Sequence, residues 1–534
     1  MRVTPLAEQG PSVTTPAAAR PALSQGLVLK ACIFATGLAG IVAEYVMATL
    51  ASYLLGDAVV QWTLTVSLML FAMGVGSRVS RFIRGPILDA FVVVELLLSV
   101  VCAASATLAY FLSAWTTSLG PIIYGISFAI GLLIGIEIPL ATRLNQVFDE
   151  LRVNISSVLE YDYYGALVGG VLFAFVALPF LGLTYTPIAV GAVNLVVAGL
   201  LFARHRQLFA WRRILSVSFA GVSLFVIALA VLAKPIVLFG EQRKYRDQVI
   251  YQDQTRYQRI VMTRLRDHHW LYLDGHIQFS SYDEERYHEP LVHPAMLVSA
   301  ARRHILVLGG GDGLALREVL RHPEVTDVTL VDIDPAMTAL GRSHEVLVTL
   351  NRDAFADPRV TVENHDAYAY LRDADTRFWD VILVDLPDPR TIDLARLYGL
   401  EFYRLARRHL SPGGVVVTQA TSPFFTRRAF LSVRATMEAA GLVTASYHNH
   451  VPTMGEWGWV LGMRGRDDTM PGAEQLSRRL AGLSFETLST RFLNRDAMVS
   501  MLHFGKGFDD EVEVSNETNF AIFYYYRDGD WELY

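Results

Sequence analysis

The sequence predicts an α-helical bundle of about seven membrane-spanning segments, followed by a small antiparallel β subdomain and a doubly wound α/β domain. Three observations predict it. Residues 27–233 are almost wholly apolar, whereas from about 235 onward the composition is that of a soluble protein. The stretch RHILVLGGGDGLALREVL (Arg303–Leu320) reads as strand, glycine loop and helix. Beyond it, apolar runs alternate with helical patterns, the signature of a parallel sheet with helices between its strands.

A chain of 534 residues has room for two or three domains. It is 52% hydrophobic, and its mean hydropathy of +0.33 is high for a soluble enzyme. A net charge of −6 gives no sign of nucleic-acid binding. Cys32 and Cys102 both lie in long apolar runs, which implies neither a disulfide framework nor a metal site. The histidines lack HExxH or any comparable ligand spacing, so no metal is expected.

Taken in order, residues 1–26 are rich in Ala, Pro, Thr and Ser and read as a disordered tail without the apolar core of a signal peptide. Residues 27–234 form the transmembrane region. A span needs about 20 mostly apolar residues, and seven stretches qualify: 28–55, 58–77, 86–113, 119–140, 162–183, 185–203 and 213–233. Only a turn centred on Thr184 separates the fifth from the sixth. Glycine is frequent, as in closely packed membrane helices. Glu44, Glu95 and Glu137 stand inside apolar runs, with Glu160 and Asp162 near the start of the fifth. Ionisable groups at membrane depth are costly. They mark a cation pathway, or they pair with Ser, Thr or Tyr hydroxyls, or they sit near the interface.

Residues 235–300 carry a charged connector (235–250) and then a β subdomain. Alternating runs at Arg259–Thr263 and Trp270–Leu273, with a turn at Asp274-Gly275, predict antiparallel strands. Residues 301–505 form the α/β domain, and 506–534 a C-terminal extension. The predicted strands are Ile305–Leu308, Val328–Val331, Val360–Val362, Val381–Val384 and Val415–Thr418. Ile305–Leu308 is continuously apolar, which suits a strand buried on both faces.

Glycines 309, 310, 311 and 313 bring a ligand close to bare backbone at a helix N-terminus. Asp312 sits within that loop. A carboxylate there repels a pyrophosphate and attracts a cation. Asp332 follows about twenty residues later, the spacing of a carboxylate that grips ribose hydroxyls. Asp366 and Asp385 also stand at or just past strand ends. A single such acid is usually a helix cap, but four on the ligand-binding edge of one sheet exceed what capping needs.

Residues 256–462 resemble the spermidine synthases, the polyamine aminopropyltransferases. The resemblance runs in order through YQ (Tyr257, Gln258), LDGHIQ (Leu273–Gln278), DE (Asp283, Glu284), YHE (Tyr287–Glu289), GGGDG, LREVL, VDID, HDAYAYL, VILVDLPDP, LY and TQATSP. GLAGIVAEYVMATLASYLLG, GIEIPLATR and YDYYGALVGGVLFAFVALPFLGL resemble the transporter-like region of the membrane-attached bacterial branch. So do VPTMGEWGWVL and the tail SNETNFAIFYYYRDGDWELY.

That resemblance implies a Rossmann-like, class I methyltransferase-type fold. It implies transfer of an aminopropyl group from decarboxylated S-adenosylmethionine, a co-substrate rather than a cofactor, to an amine such as putrescine. Donor contacts then fall to Gln258, Gln278, Gly309, Gly311, Asp312, Asp332 (ribose) and Asp366 (adenine). Acceptor contacts fall to Tyr287, His288, Asp385 and Asp388, with Asp385 and Tyr287 catalytic. An amine attacks only when neutral, and its pKa is about 10.4, whereas an ordinary aspartate sits at about 3.9. The proton therefore passes either to Asp385 directly or through a Tyr287 relay.

There are departures from the soluble members. Leu386 stands for Ser, Thr391-Ile392-Asp393 for Gly-Pro-Ala, and Met454 lies where a Tyr often contacts the diamine. His288 replaces Gln, and either touches the amine or packs. The family also implies a homodimer. Two other functions compete: an S-adenosylmethionine-dependent methyltransferase, whose substrate carboxylate clashes with Asp312, and a polyamine transporter or sensor whose soluble domain only binds.

Arginines cluster between spans two and three (Arg78, Arg81, Arg84), four and five (Arg143, Arg152), and six and seven (Arg204, Arg206, Arg212, Arg213). The positive-inside rule places those loops and the N-terminus in the cytoplasm. Seven spans then put the α/β domain outside, whereas its nucleoside donor is made inside. The expected location is the inner membrane, multi-pass, with the catalytic domain cytoplasmic and an even number of crossings.

Overall fold

The computed structural model describes residues 19–55, 58–116, 118–145, 151–374, 376–465 and 472–531. They form two compact units, residues 1–246 and 247–534.

The first unit is helical: α1 (Ala19–Leu55), α2 (Ala58–Ser80), α3 (Ile87–Ser113), α4 (Gly120–Asn145), α5 (Leu151–Leu172, continued as a π-helix over Phe173–Leu181), α6 (Gly182–His205) and α7 (Arg212–Lys244). Residues 19–26, read from composition as tail, are already helical, because the helix runs on past its apolar stretch. The rest of that tail, 1–18, lies outside the described residues. The predicted connector is likewise helical as far as Lys244. Small residues let the helices touch backbone to backbone: a Cβ on Gly165 would stand 2.0 Å from the Phe34 carbonyl, and one on Gly135 2.1 Å from that of Met73.

Among the described residues six helices are long and apolar enough to cross a membrane, and the fifth of them runs from Asn154 to His205. A straight helix of that length would extend ~78 Å, more than twice a hydrocarbon core of ~30 Å. It is not straight. Gly182 has φ 63°, ψ −173°, and the Thr186 hydroxyl donates to the Ala177 carbonyl at 3.1 Å, nine residues back. Along a continuous helix those residues lie ~13 Å apart. The chain therefore turns back at Gly182, two residues before the predicted Thr184. Of the five acids singled out in this unit, Glu95 and Glu137 are buried inside the bundle, Glu44 and Asp162 are half-buried, and Glu160 is exposed.

The second unit opens with a four-stranded antiparallel meander, β1 (Gln248–Gln254), β2 (Arg259–Leu265), β3 (His268–Leu273) and β4 (His276–Ser280). Asp274 (φ 50°) and Gly275 (φ 82°) make the tight turn between β3 and β4. Helix α8 (Glu285–Val298) follows. The region read as strands up to residue 300 therefore ends in a helix, and this helix packs on the large sheet through Tyr287, Leu291, Val292 and Met296.

That sheet has seven strands: β5 (His304–Gly309), β6 (Asp327–Val331), β7 (Val360–Glu363), β8 (Trp379–Asp385), β9 (Leu410–Gln419), β10 (Val443–Val451) and β11 (Gly455–Met463), in the order β10-β11-β9-β8-β5-β6-β7. The first five run parallel, and β11 is antiparallel to both β9 and β10. Helices α9 (Leu314–Leu320), α10 (Pro335–Ser343), α11 (Glu345–Asn351) and α12 (Ala367–Asp373) connect the β5–β8 part. Ile305 and Val307 bury into the core on one face, Leu306 and Leu308 into that on the other. This double burial is why the strand reads as an unbroken apolar run. The chain leaves β5 toward β7 and returns to β8 beside β5, so the switch point lies between β5 and β8.

The C-terminal extension is not a separate appendage. Ser515 accepts from Leu400 N–H (2.8 Å) through its carbonyl, and its own N–H donates to Thr436 Oγ1 (3.0 Å). Ile522 and Tyr526 belong to the core beside Phe402 and Phe430.

Candidate active site

The parallel strands end on one edge, and the sheet order sets the residues there in a row. Asp385 closes β8, the glycine loop follows β5, Asp332 follows β6 and Asp366 follows β7. Gly309 and Asp385 are register partners. A Cβ on Gly309 would stand 2.0 Å from the Asp385 carbonyl, and its φ of 84° also demands glycine. The loop is bracketed by carboxylates. The position of a Gly310 Cβ is 3.3 Å from Asp385 Oδ2, and that of a Gly311 Cβ is 2.6 Å from Asp332 Oδ2.

Each acid is held. Asp332 accepts from Gly311 N–H (3.1 Å) and Asp334 N–H (2.8 Å). Asp312 accepts from Leu314 N–H at 2.8 Å. Asp366 is the N-cap of α12, accepting from Ala369 N–H at 2.8 Å, and its other oxygen meets the Arg396 guanidinium. The capping reading set aside for Asp366 is thus what its side chain does in this structure.

Gln258 comes from the turn before β2 and donates to Asp334 Oδ2 at 3.1 Å, which ties the meander to the loop that carries Asp332. Gln278 donates to the His276 carbonyl (3.2 Å) on its own strand.

Helix α8 supplies the opposite wall. Tyr287 donates its hydroxyl proton to Asp385 Oδ1 at 2.8 Å. His288, one residue on, is buried, with Nδ1 2.9 Å from the Glu284 carbonyl and 3.1 Å from Glu284 Oε2. Glu284 in turn accepts from Arg317 at 2.8 Å, and Arg317 also bonds Glu318 (2.7 Å) and the Leu350 carbonyl (2.8 Å). Asp388 accepts from Gln419 Nε2 on Oδ1 (3.1 Å) and from the Tyr526 hydroxyl on Oδ2 (3.0 Å).

Burial pushes four of these acids up: Asp385 to about 6, Asp332 to about 7, with Asp312 and Asp388 also raised. Asp312 adds to the rise at both Asp385 and Asp332. Such a set relaxes when a cation enters. Burial alone lowers His288, but the Glu284 carboxylate outweighs it and holds the imidazole at about 9. His288 is therefore an imidazolium at neutral pH. Both its nitrogens are donors, so it offers an ammonium no acceptor. It lowers the pKa of both Asp385 and Asp312 instead.

Sequence reasoning quoted LREVL, TQATSP and the C-terminal tail, which hold Arg317, Gln419 and Tyr526, but gave no role to these residues or to Arg396. Glu284 and His288 stood four apart on a predicted motif, which is the spacing of a helical pair. Nothing local marked Tyr526, 138 residues beyond the acid it touches.

The raised Asp385 gives a pH prediction. For a reaction in which Asp385 acts as a base, kcat/KM falls on an acid limb at or below about 6. Tyr287 donates to the ionised form, so Tyr287→Phe raises the Asp385 pKa and moves that limb to higher pH. A pH–rate profile with an unmoved or lower limb contradicts this assignment.

Comparison with known proteins bears on this site. Residues 284–471 match the family model described as the spermine/spermidine synthase domain. The chain is 41% identical over 513 residues to polyamine aminopropyltransferase 2 of Aquifex aeolicus, covering 94% of this chain and 99% of that protein. It is 39% identical over 533 residues to polyamine aminopropyltransferase 1 of Ralstonia nicotianae, covering 96% and 97%. A crystal structure of spermidine synthase from Thermotoga maritima aligns with a TM-score of 0.42 at 25% identity, over 48% of this chain and 85% of that one.

Proposed function

The chain belongs to the polyamine aminopropyltransferases, and from that premise we propose that it transfers the aminopropyl group of decarboxylated S-adenosylmethionine to a diamine such as putrescine. The products are spermidine, or a related polyamine, and methylthioadenosine. The observation that carries this reading is the row of acids across one sheet edge. It matches a donor with an adenosine at one end and a cationic propylamine at the other, followed by a cationic acceptor.

In the step itself, the neutral amine nitrogen forms a bond to the propyl carbon beside the sulfonium. The carbon–sulfur bond breaks, and its electron pair leaves a neutral thioether. The alkylated nitrogen loses its proton to Asp385. An aspartate at about 6 is a better base than an ordinary one, which narrows the gap to the amine without closing it. Positioning and stabilisation of developing charge supply the rest. Tyr287 orients the carboxylate and is itself pushed far above its ordinary range by burial and by Asp385, so it stays protonated as a donor.

On the donor side, Asp332 takes the ribose hydroxyls, with Gln258 bracing Asp334 behind it, and Asp312 takes the propylamine. Gly309 and Gly311 let the nucleoside lie on bare backbone, and Gln278 closes the site from the meander. Asp366 faces the adenine with the lone pairs that its cap and Arg396 leave. On the acceptor side, Asp388 meets the distal ammonium, while His288 tunes Asp385 and Asp312 from behind rather than gripping the amine.

Membership in an enzyme family removes the binding-only alternative. Purified full-length protein incubated with the decarboxylated donor and a panel of amines yields methylthioadenosine and the matching aminopropylated amine by mass spectrometry. Intact S-adenosylmethionine yields neither product. Methylated amines from the intact donor would overturn this reading.

The helical unit anchors the enzyme in the inner membrane with the catalytic unit in the cytoplasm, where its donor is made. The turn at Gly182 splits the longest helix into two legs, so seven legs are each long enough to cross. If all seven cross, a cytoplasmic catalytic unit requires an outside N-terminus, against the arginine distribution. That distribution is a bias, whereas donor supply is a requirement. An alkaline phosphatase fusion after Tyr534 is expected to be inactive in intact cells; activity there reverses the orientation.

A further inference from the structure

The acid assigned to the acceptor's distal end is held by a part of the chain that the family model does not cover. The model match ends at residue 471. Tyr526 lies on the short helix Ala521–Arg527 and is 8% exposed. Its hydroxyl donates to Asp388 Oδ2 at 3.0 Å, while Gln419 Nε2 donates to Oδ1 at 3.1 Å. One donor on each oxygen fixes both the position and the plane of this carboxylate.

Both donors are themselves fixed. Gln419 Nε2 shares its two protons among Asp388 Oδ1, the Leu386 carbonyl (2.8 Å) and the Tyr398 hydroxyl (2.6 Å), and its Oε1 accepts from Thr421 N–H (2.9 Å). Tyr526 is braced by Trp531, whose indole N–H donates to the Tyr526 carbonyl at 3.0 Å and whose ring centroid lies 5.0 Å from its own. Trp531 stacks on Phe425 at 5.9 Å, and Asp530 N–H donates to the Phe425 carbonyl at 2.8 Å. The C-terminal segment thus closes over the Asp388 end of the site and inserts one polar group there.

We propose that Tyr526 is a positioning residue for the acceptor: with Gln419 it aims the Asp388 carboxylate at the far ammonium of a diamine, and so sets the preference for doubly over singly charged amines. The proposal rests on the acceptor role given to Asp388 above. A phenol hydrogen-bonded to a buried carboxylate favours its ionised form, and an ionised carboxylate is what recognition of an ammonium needs.

The test is Tyr526→Phe in the full-length protein, which keeps the ring and its packing. Losing a hydrogen bond to a charged group weakens the contact by about tenfold or more. The expected result is that KM for 1,4-diaminobutane rises about tenfold, with kcat within about twofold and donor affinity by calorimetry unchanged. Binding of butylamine, which has no far ammonium, does not change. Titration of the diamine and of butylamine into methylthioadenosine-loaded protein reads the same contrast without turnover. It therefore stands even if the unmodified protein fails to make an aminopropylated product, an outcome that sinks the functional reading instead. An unchanged diamine affinity overturns the proposal. So does a parallel loss of kcat, diamine affinity and donor affinity, or a variant too unstable to bind donor, because each assigns Tyr526 to the fold alone.

Discussion

Asp385→Asn is expected to lower turnover by about 10²–10⁴-fold, the range for loss of a general base, while leaving donor affinity near normal. The amide keeps the shape of the carboxylate and can still accept the Tyr287 hydroxyl that now bonds Oδ1 at 2.8 Å. What disappears is the charge and the proton acceptor at the end of β8. Donor binding survives because Asp332 and Asp312 stand on the other strand ends and are held by their own backbone donors. Single-turnover formation of methylthioadenosine, followed beside calorimetric titration of the donor, separates the two effects. Turnover within tenfold of the unmodified protein would remove Asp385 from the chemistry.

Arg317→Met is expected to destabilise the α/β unit by about 3–5 kcal/mol, the cost of breaking a buried ion pair from one side. Arg317 is 9% exposed and bonds Glu284, Glu318 and the Leu350 carbonyl at once. Glu284 and Glu318 are each held down to about 2: burial opposes this, and His288 and Arg317 at Glu284, and His293 and Arg317 at Glu318, overcome it. Methionine fills the space of the stem but leaves two buried carboxylates short of a donor. The unfolding midpoint should fall by about 10 °C for a unit of this size. Arg372→Met, which breaks an exposed pair with Asp373, should move it little. Equal shifts in the two variants would show that the buried network contributes no more than a surface pair.

The network matters beyond stability because it sets the charge of His288. A histidine read from sequence beside a catalytic tyrosine invites assignment as an amine ligand. In the structure the same helix places Glu284 one turn before it, and Arg317 arrives from α9 to fix that glutamate. The imidazole is thereby held protonated, and it lowers the pKa of Asp385 and Asp312. A cation built in among these acids moderates their mutual repulsion.

The features that sequence alone determined are those set by short-range rules. Ile305–Leu308 had to be a doubly buried strand, because four consecutive apolar residues cannot alternate between core and water. GGGDG had to be a close-approach loop, because only glycine tolerates the φ of 84° and the 2.0 Å that would separate a Cβ on Gly309 from the Asp385 carbonyl. Acids at successive strand ends pointed to a cationic ligand before any strand order was known. Tertiary structure decided what depends on pairing between distant segments. The order β8-β5-β6-β7 turned separate acids into one row. Arg396 and the α12 cap claimed Asp366, and Gly182 rather than Thr184 turned the chain in the helical unit. Tyr526 reached Asp388 across 138 residues. Periodicity and φ preference are written in neighbours along the chain. The charge and aim of a side chain are set by whatever the fold brings beside it, and no local pattern encodes that.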